Sequence, residues 1–249
     1  MAIKQWSGEP GHTILYDDTL WPSPSTAAFT ADFWESRDLI TGQAAGRGTT
    51  LFIQHDEQQW VLRHYQRGGL PGKVLQDQYL FTGIEATRAI REFRLLHLMR
   101  EKDLAVPTPV AAHVSRSGLA YRADLITAMI PNSADLHQVL CQRALSDNEW
   151  FTVGAAIARL QHAQVYHHDL NVRNIMRDDE GTIWIIDFDR CYVRRGLRWK
   201  GKPLARLLRS LRKEAARNTD FHYADENWAT IMDGYIETQS ELTLQRTSS

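Results

Sequence analysis

The sequence predicts an α+β fold in two parts, with a small antiparallel sheet in the first part and mainly helices in the second. Three observations support this prediction. Short apolar runs alternate with turn residues up to residue 129, as expected for strands. Apolar residues then recur at helical spacing, for example over 147–163. Between helical stretches, a polar segment at 167–174 precedes an apolar run that stops at Asp187.

Bulk composition indicates a soluble protein without an unusual charge. Of the 249 residues, 43% are hydrophobic, which is enough for a substantial core, and the formal net charge is −1. This charge gives no indication of nucleic-acid binding. Residues 1–24 lack the apolar core of a secretion signal, and no run is long enough to span a bilayer. Cys141 and Cys191 are too few for a disulfide framework, so we expect small buried thiols in a reducing compartment.

We expect three segments along the chain. Residues 1–40 form an irregular N-terminal extension, residues 41–129 the sheet-rich part with one helix, and residues 130–249 the helical part. Gly, Pro, Asp and Ser are frequent over 1–24, and a short helix is predicted within 26–39. Three aromatic residues should pin the extension to the rest of the protein: Trp6, Tyr16 and Trp21.

A glycine-rich segment at 42–50 precedes predicted strands at 51–53 and 60–65. Glycine lets a backbone approach phosphate groups closely, so Gly46 and Gly48 are candidates for a loop that covers a nucleotide. A flexible hairpin turn explains the same residues equally well.

Residues 87–102 have the spacing of an amphipathic helix, and strands are predicted at 110–114 and 120–129. Glu92 lies in the middle of this helix between apolar neighbours that would hold its face against the sheet. Glu101 is the alternative acidic residue on the same helix, and either side chain could simply be solvated.

The second part should begin with a helix at Ser133 or Asp135, followed by a helix from Ser146 or Asp147 to Ala163. Residues 190–217 are rich in Lys and Arg, and leucines at helical spacing predict a helix over 203–216. That helix either solvates its arginines or presents them to an anionic partner. A closing helix is predicted over 220–237, with a frayed tail beyond it.

The segment from His167 to Asp189 carries the residues best suited to chemistry. A polar loop that ends at Asn174 leads to a strand, a turn, and an apolar strand that ends at Asp187. Phosphoryl transfer needs one carboxylate to orient and deprotonate a hydroxyl, and hard oxygen ligands for magnesium. Each residue alone could equally form a turn, but the combination favours a phosphotransferase.

The order and spacing resemble the protein-kinase-like signature, in which His-Arg-Asp-Leu-x-x-x-Asn is followed by Asp-Phe-Gly. The resemblance implies that Asp169 is the catalytic base and that Asn174 and Asp187 are metal ligands. Two departures are visible, because His168 replaces the arginine and Asp189 replaces the glycine. Control by activation-loop phosphorylation is therefore not expected.

The same resemblance implies a bilobal kinase-like fold that binds ATP and Mg²⁺ between its lobes. Arg63 then occupies the position of the phosphate-binding strand lysine, with Glu92 as its partner on the helix, or Arg63 is merely an exposed edge-strand residue. Backbone groups of the hinge at Ala128 and Ile130 would contact adenine.

Several segments together resemble the bacterial 3-deoxy-D-manno-octulosonic acid (Kdo) kinase family, from about residue 40 to about residue 215. They lie at 46–50, 63–70, 125–127 with 130–132, 168–171 and 186–190. The resemblance implies an ATP-dependent kinase that phosphorylates the 4-hydroxyl of Kdo on a lipid A precursor, at the cytoplasmic side of the inner membrane. No nucleic-acid partner is expected.

The basic segment should then face this anionic glycolipid and the anionic membrane surface. Four arginines are candidates for the carboxylate and phosphates of the acceptor: Arg190, Arg194, Arg195 and Arg198. Three alternatives remain, namely a heptose kinase, an aminoglycoside-type phosphotransferase and an inactive nucleotide-binding scaffold. The arginines argue against a cationic acceptor, whereas Arg63 in place of lysine keeps the scaffold possible.

Overall fold

The computed structural model describes residues 2–44, 50–66 and 77–247. The chain divides into two compact units. Unit 1 comprises Met1–His97 and Pro107–Met129, and unit 2 comprises Leu98–Val106 and Ile130–Ser249.

Unit 1 contains an antiparallel sheet. Among the described residues its strands are β1 (Ile3–Trp6), β2 (His12–Asp17), β3 (Ile40–Ala44), β4 (Thr50–His55), β5 (Gln58–His64), β6 (Tyr79–Leu80), β7 (Pro109–Ser117) and β8 (Ala120–Ala128). Their order is β1-β2-β7-β8-β5-β4-β3, and β6 also pairs with β8. All of these pairings are antiparallel, as predicted for the first part of the chain.

The prediction of an irregular extension is wrong for part of the first 24 residues, because β1 and β2 belong to the sheet. β2 pairs with β1 on one side and β7 on the other, and Ile14 and Leu15 are buried. Glycine and proline cluster in the turns around these two strands, at 8–11 and 22–24. These turn residues dominate the composition of the segment, so the composition does not indicate the short strands. Trp21 is buried as expected.

Large aromatic residues fill the core on one side of the sheet. The helix α1 (Ala31–Glu35) places Trp34 in this core, where its indole Nε1 donates to the carbonyl of Ala28 at 2.7 Å. Trp60 of β5 is also fully buried and stacks on His55 with 4.1 Å between ring centroids. The helix predicted around 87–102 is α2 (Arg88–Arg100). Of its two possible apolar faces, Ala89, Phe93, Leu96 and Met99 are all buried, whereas Leu95 is buried and Leu98 only partly.

Unit 2 is mainly helical. Its described helices are α3 (Leu136–Gln142), α4 (Asp147–His162), α5 (Gly201–Ala215) and α6 (Asp225–Thr247). Short strands complete it: β9 (Ser133–Asp135), β10 (Val165–Tyr166), β11 (Ile175–Asp178), β12 (Ile183–Ile185) and β13 (Tyr192–Val193). They form the sheets β12-β11-β9 and β10-β13.

Capping residues fix where the first two of these helices begin. The carboxylate of Asp135 accepts from the backbone N–H of Gln138, so α3 begins after Asp135 and not at Ser133. Ser146 and Glu149 form a reciprocal capping box at the start of α4. The predicted alternatives are thereby reduced to one start for each helix.

α4 and α6 approach each other to backbone contact. A Cβ atom at Gly154 would lie 1.9 Å from the carbonyl oxygen of Ile231, and one at Gly234 would lie 2.1 Å from that of Phe151. Only glycine fits at either position. The closing helix is longer than predicted, since α6 runs from Asp225 to Thr247 and the expected frayed tail is helical up to there.

Candidate active site

Asp169 lies in the loop between β10 and β11, and a buried histidine holds the start of this loop. The Nε2–H of His167 donates to the carbonyl of Ile186 at 3.0 Å, because a carbonyl oxygen can only accept. Burial lowers the pKa of His167, so its ring is neutral near pH 7. The contact ties the loop before Asp169 to the strand end before Asp187.

The backbone of Asp169 is held by two amides. Asn171 and Asn174 both donate their side-chain Nδ2–H to the carbonyl oxygen of Asp169, each at 2.9 Å. Because this contact uses the amide nitrogen of Asn174, its amide oxygen remains the atom suited to a metal. The Asp169 side chain is 49% exposed.

Asn174 and Asp187 are brought together by main-chain hydrogen bonds. Ile175 pairs with Ile185 across β11 and β12, and the N–H of Ile186 donates to the carbonyl of Asn174 at 3.0 Å. The two predicted ligands therefore lie at the same end of this hairpin.

Backbone strain follows directly after β12. Asp187 has φ +61° and Arg190 has φ +63°, a region that non-glycine residues rarely occupy. Between them Phe188 is buried, with its ring edge to face against His167 at 5.0 Å. Such conformations concentrate at functional sites, where the surrounding packing enforces them.

The donor set suits magnesium better than a transition metal. In the described part of the chain, no cluster of three or more His, Cys, Asp or Glu side chains could hold a metal ion. The two predicted ligands, Asn174 and Asp187, carry one amide oxygen and one carboxylate. Mg²⁺ is typically bound by one or two carboxylates together with the phosphates of a nucleotide, so these residues fit that ion.

Sequence reasoning missed an arginine that contacts the predicted base. Arg206 of α5 donates from Nη1 to Oδ1 of Asp169 at 2.5 Å, and the Arg206 side chain is 43% exposed. The hydroxyl of Ser210, one turn later, accepts from the backbone N–H of Val172 at 3.3 Å. Leu207 and Leu211 are buried, so α5 is fixed beside the loop that carries Asp169. The basic composition of α5 predicts arginines that face solvent or an anionic partner. It gives no signal for a contact between Arg206 and Asp169.

In unit 1, the predicted pairing of Arg63 with Glu92 is present. Arg63 Nη2 lies 2.5 Å from Oε1 of Glu92, whose side chain is only 5% exposed. Tyr65 joins the pair, because its hydroxyl donates to Oε2 of Glu92 at 2.5 Å and accepts from Arg63 at 3.2 Å. Burial raises the pKa of Tyr65 well above its usual value, so the hydroxyl stays protonated. Tyr65 follows Arg63 by two residues, so both side chains lie on the same side of the extended chain. This spacing is the sequence signal that could have predicted the contact of Tyr65 with the pair.

Two backbone groups of the predicted hinge already form hydrogen bonds within the protein. The N–H of Ala128 donates to Thr108 at 2.8 Å, and the carbonyl of Ile130 accepts from the hydroxyl of Ser133 at 2.8 Å. The predicted phosphate-covering residues, Gly46 and Gly48, lie outside the described residues.

The segment that carries this site matches a known protein family. The model of the lipopolysaccharide kinase (Kdo/WaaP) family matches residues 31–235, which is most of the chain. The chain belongs to this family. The predicted kinase activity and α+β kinase-like fold are thereby confirmed.

Relatives in the Kdo/WaaP family match over nearly their full length. The 3-deoxy-D-manno-octulosonic acid kinase of Vibrio parahaemolyticus is 42% identical over 92% of this chain and 95% of its own. The kinase of the same name from Photobacterium damsela is 45% identical, over 86% of this chain and 90% of its own. That of Haemophilus influenzae is 39% identical, over 85% and 90% respectively.

In this member of the Kdo/WaaP family, the predicted acceptor arginines lie in the segment before α5. Arg190, Arg195 and Arg198 are exposed, whereas Arg194 is half-buried over the ring of Tyr166. The same segment exposes three apolar side chains: Tyr192, Val193 and Leu197. We call residues 190–198 the arginine loop. Among the described helices, none has both the length and the apolar character to cross a bilayer.

Proposed function

We propose that this kinase transfers the γ-phosphoryl group of ATP to the 4-hydroxyl of a Kdo residue on a lipid A precursor. The observation that carries the proposal is the loop around Asp169. Its carboxylate is half exposed, and its backbone is fixed by Asn174, which lies beside the segment that leads to Asp187. The relatives named as Kdo kinases cover most of the chain, which favours a Kdo acceptor.

Asp169 is the general base in this mechanism. The acceptor hydroxyl donates to its carboxylate, and the hydroxyl oxygen attacks the γ-phosphorus. A new P–O bond forms while the bond from the γ-phosphorus to the bridging oxygen of ADP breaks. The hydroxyl proton passes to Asp169 and then to solvent, and ADP leaves with the bridging oxygen.

Asn174 and Asp187 would hold Mg²⁺ through an amide oxygen and a carboxylate oxygen. When bound, the ion neutralises charge on the phosphate oxygens. The donor contact from Asn174 to Asp169 keeps the amide oxygen in a fixed direction, so metal binding and base positioning share one side chain.

Arg63 would bind the phosphates of ATP. Its guanidinium is oriented by the buried Glu92, and a guanidinium can bind phosphate oxygens in bidentate fashion. Tyr65 helps to fix this orientation. Ala128 and Ile130 would contact adenine through backbone groups other than the Ala128 N–H and the Ile130 carbonyl, which are already paired. Gly46 and Gly48, which lie outside the described residues, complete the proposed nucleotide-binding set.

The arginine loop would meet the anionic acceptor at the cytoplasmic face of the inner membrane. Its exposed guanidinium groups suit phosphate and carboxylate, and its three exposed apolar side chains can enter the interfacial region of a bilayer. Arg212 is not part of this proposal, because it is paired with Asp225.

The test is ADP release from magnesium-ATP with four acceptor conditions: Kdo-lipid acceptor, heptosylated acceptor, kanamycin, or none. We expect release above background only with the Kdo acceptor, and we expect Asp169→Asn to abolish it while the protein remains folded. Preferential turnover of another acceptor would overturn the assignment. Equal ADP release by wild type with and without acceptor would mean that the protein phosphorylates none of these acceptors.

A further inference from the structure

The contact between Arg206 and Asp169 places a cation on the oxygen that must accept a proton. Guanidinium has only N–H donors, and one of them lies 2.5 Å from Oδ1 of Asp169. Among the residues described, Arg206 supplies the side-chain partner recorded for this carboxylate. A hydroxyl that approaches Oδ1 therefore meets an oxygen that is already engaged.

The ion pair between Arg206 and Asp169 can be broken at little energetic cost when another partner is present. Both side chains are about half exposed, and exposed ion pairs contribute little to folding stability. The position of Arg206 is nevertheless fixed, because Leu207 and Leu211 are buried and Ser210 binds the backbone of Val172. The guanidinium can thus change partners without moving its helix.

An acidic acceptor offers such a partner. If the hydroxyl of a sugar acid contacts Asp169, the carboxylate of the same sugar lies within the width of a sugar ring of that contact. A guanidinium beside Asp169 is then within reach of the sugar carboxylate, which it can bind through two parallel hydrogen bonds.

We propose that Arg206 recognises the carboxylate of the acceptor and, by leaving Asp169 to bind it, frees the base only when an acidic sugar is present. The inference rests on the proposed function and assigns a specificity-determining role to a residue of α5. Arg206 keeps its proton throughout. Without an acceptor the pair stays closed, so water is a poor substitute for the sugar hydroxyl and little ATP is hydrolysed to ADP and phosphate.

The test compares Arg206→Gln with Arg212→Gln, both in the full-length protein. Arg212 is the matched control, because it is an exposed arginine of the same helix that is paired with a carboxylate, that of Asp225. Three quantities are measured: ADP release without acceptor, KM for the Kdo-lipid acceptor, and KM for an acceptor whose sugar carboxylate is reduced to an alcohol.

For Arg206→Gln we expect acceptor-free ADP release to rise several-fold and KM for the Kdo acceptor to rise about tenfold or more, because a bidentate charge-assisted contact is lost. Carboxylate reduction should raise KM for wild type and Arg212→Gln but cause no further rise in Arg206→Gln. Arg206→Lys retains the charge and should keep acceptor-free release low, so it serves if the glutamine variant fails to fold.

The inference is overturned if acceptor-free release stays at the wild-type level in Arg206→Gln, or if carboxylate reduction leaves wild-type KM unchanged. Failure of the proposed function itself has a different signature, because wild type would then show no phosphorylation of the Kdo acceptor at all.

Discussion

The side-chain amide of Asn174 donates to the backbone carbonyl of Asp169, with 2.9 Å between Nδ2 and O. In the proposed function, one residue thus supports the loop of Asp169 and also presents an amide oxygen to the metal. Asn171 donates to the same carbonyl at the same distance but has no role as a ligand in our proposal. The two asparagines therefore form a matched pair for separating support of the loop from metal binding.

We expect Asn174→Ala to lower kcat by about 100-fold or more, because it removes a metal ligand as well as a hydrogen bond. Asn171→Ala removes the same hydrogen bond to Asp169 and the one that Asn171 accepts from the backbone N–H of Arg173, but it removes no proposed ligand and should cost much less. The measurement is kcat as a function of magnesium concentration for both variants. Equal losses in the two, with the same magnesium dependence as wild type, would mean that Asn174 is not a ligand.

Removing the positive partner of Glu92 should destabilise unit 1. Glu92 is nearly inaccessible, so Arg63→Met leaves an uncompensated buried charge and should cost about 3 kcal/mol in the free energy of unfolding. The double variant Arg63→Met with Glu92→Leu should recover part of this loss, as followed by urea denaturation. If the two single losses simply add, the side chains are not coupled.

Glu149 should contribute to stability in a defined pH range. Hydrogen bonds from the Arg143 guanidinium and from Ser146 at the start of α4 lower the pKa of Glu149 to about 2 from an ordinary 4.5. A carboxyl whose folded pKa is depressed stabilises the protein above its unfolded pKa, and this stabilisation fades as the pH falls toward the folded pKa.

The free energy of unfolding of wild type should therefore exceed that of Glu149→Gln at pH 6, and the difference should shrink between about pH 4.5 and pH 2. Urea titrations of both proteins across this range supply the measurement. A difference that does not change with pH would contradict the assignment.

Gly154→Ala should force α4 and α6 apart. The added methyl group would lie 1.9 Å from the carbonyl oxygen of Ile231, and such overpacking typically costs about 1–3 kcal/mol. Gly201→Ala is the control, because a Cβ there meets nothing within 4 Å at the start of α5. Thermal unfolding should show a lowered Tm for the first variant and an unchanged or raised Tm for the second. An unchanged Tm for Gly154→Ala would contradict the close contact.

Leu197→Asn should weaken binding to anionic vesicles if the arginine loop touches the membrane. Leu197 is 73% exposed within that loop, and Leu119, which is 76% exposed in the turn between β7 and β8, provides the matched control. We expect Leu197→Asn, but not Leu119→Asn, to reduce co-sedimentation with vesicles that contain phosphatidylglycerol. Equal binding by the two variants would exclude an apolar contribution from the loop.

The hairpin around the site was predictable because its signals are local. Strand ends, turns and helix caps depend on neighbouring residues, so the sequence sufficed to predict β11, β12 and the start of α4 near Ser146. The pairing of Arg63 with Glu92 came from family resemblance, since nothing local joins a strand to a helix residue so far along the chain.

The contacts that escaped prediction depend on tertiary packing. Arg206 reaches Asp169 because α5 packs beside the catalytic loop, and periodicity gives the buried face of a helix without naming its neighbour. β2 escaped prediction for a related reason. The turns on either side of it dominate the composition of this short segment, and its partner strand β7 is remote in sequence.

The main-chain hydrogen bond from Ile186 to Asn174 has a consequence for how this site can evolve. Main-chain hydrogen bonding sets the interval along the hairpin between Asn174 and Asp187, the two proposed metal ligands. Lineages can therefore exchange the outward-facing side chains of the hairpin while its register is kept, and the two ligands will still be inherited at the same separation.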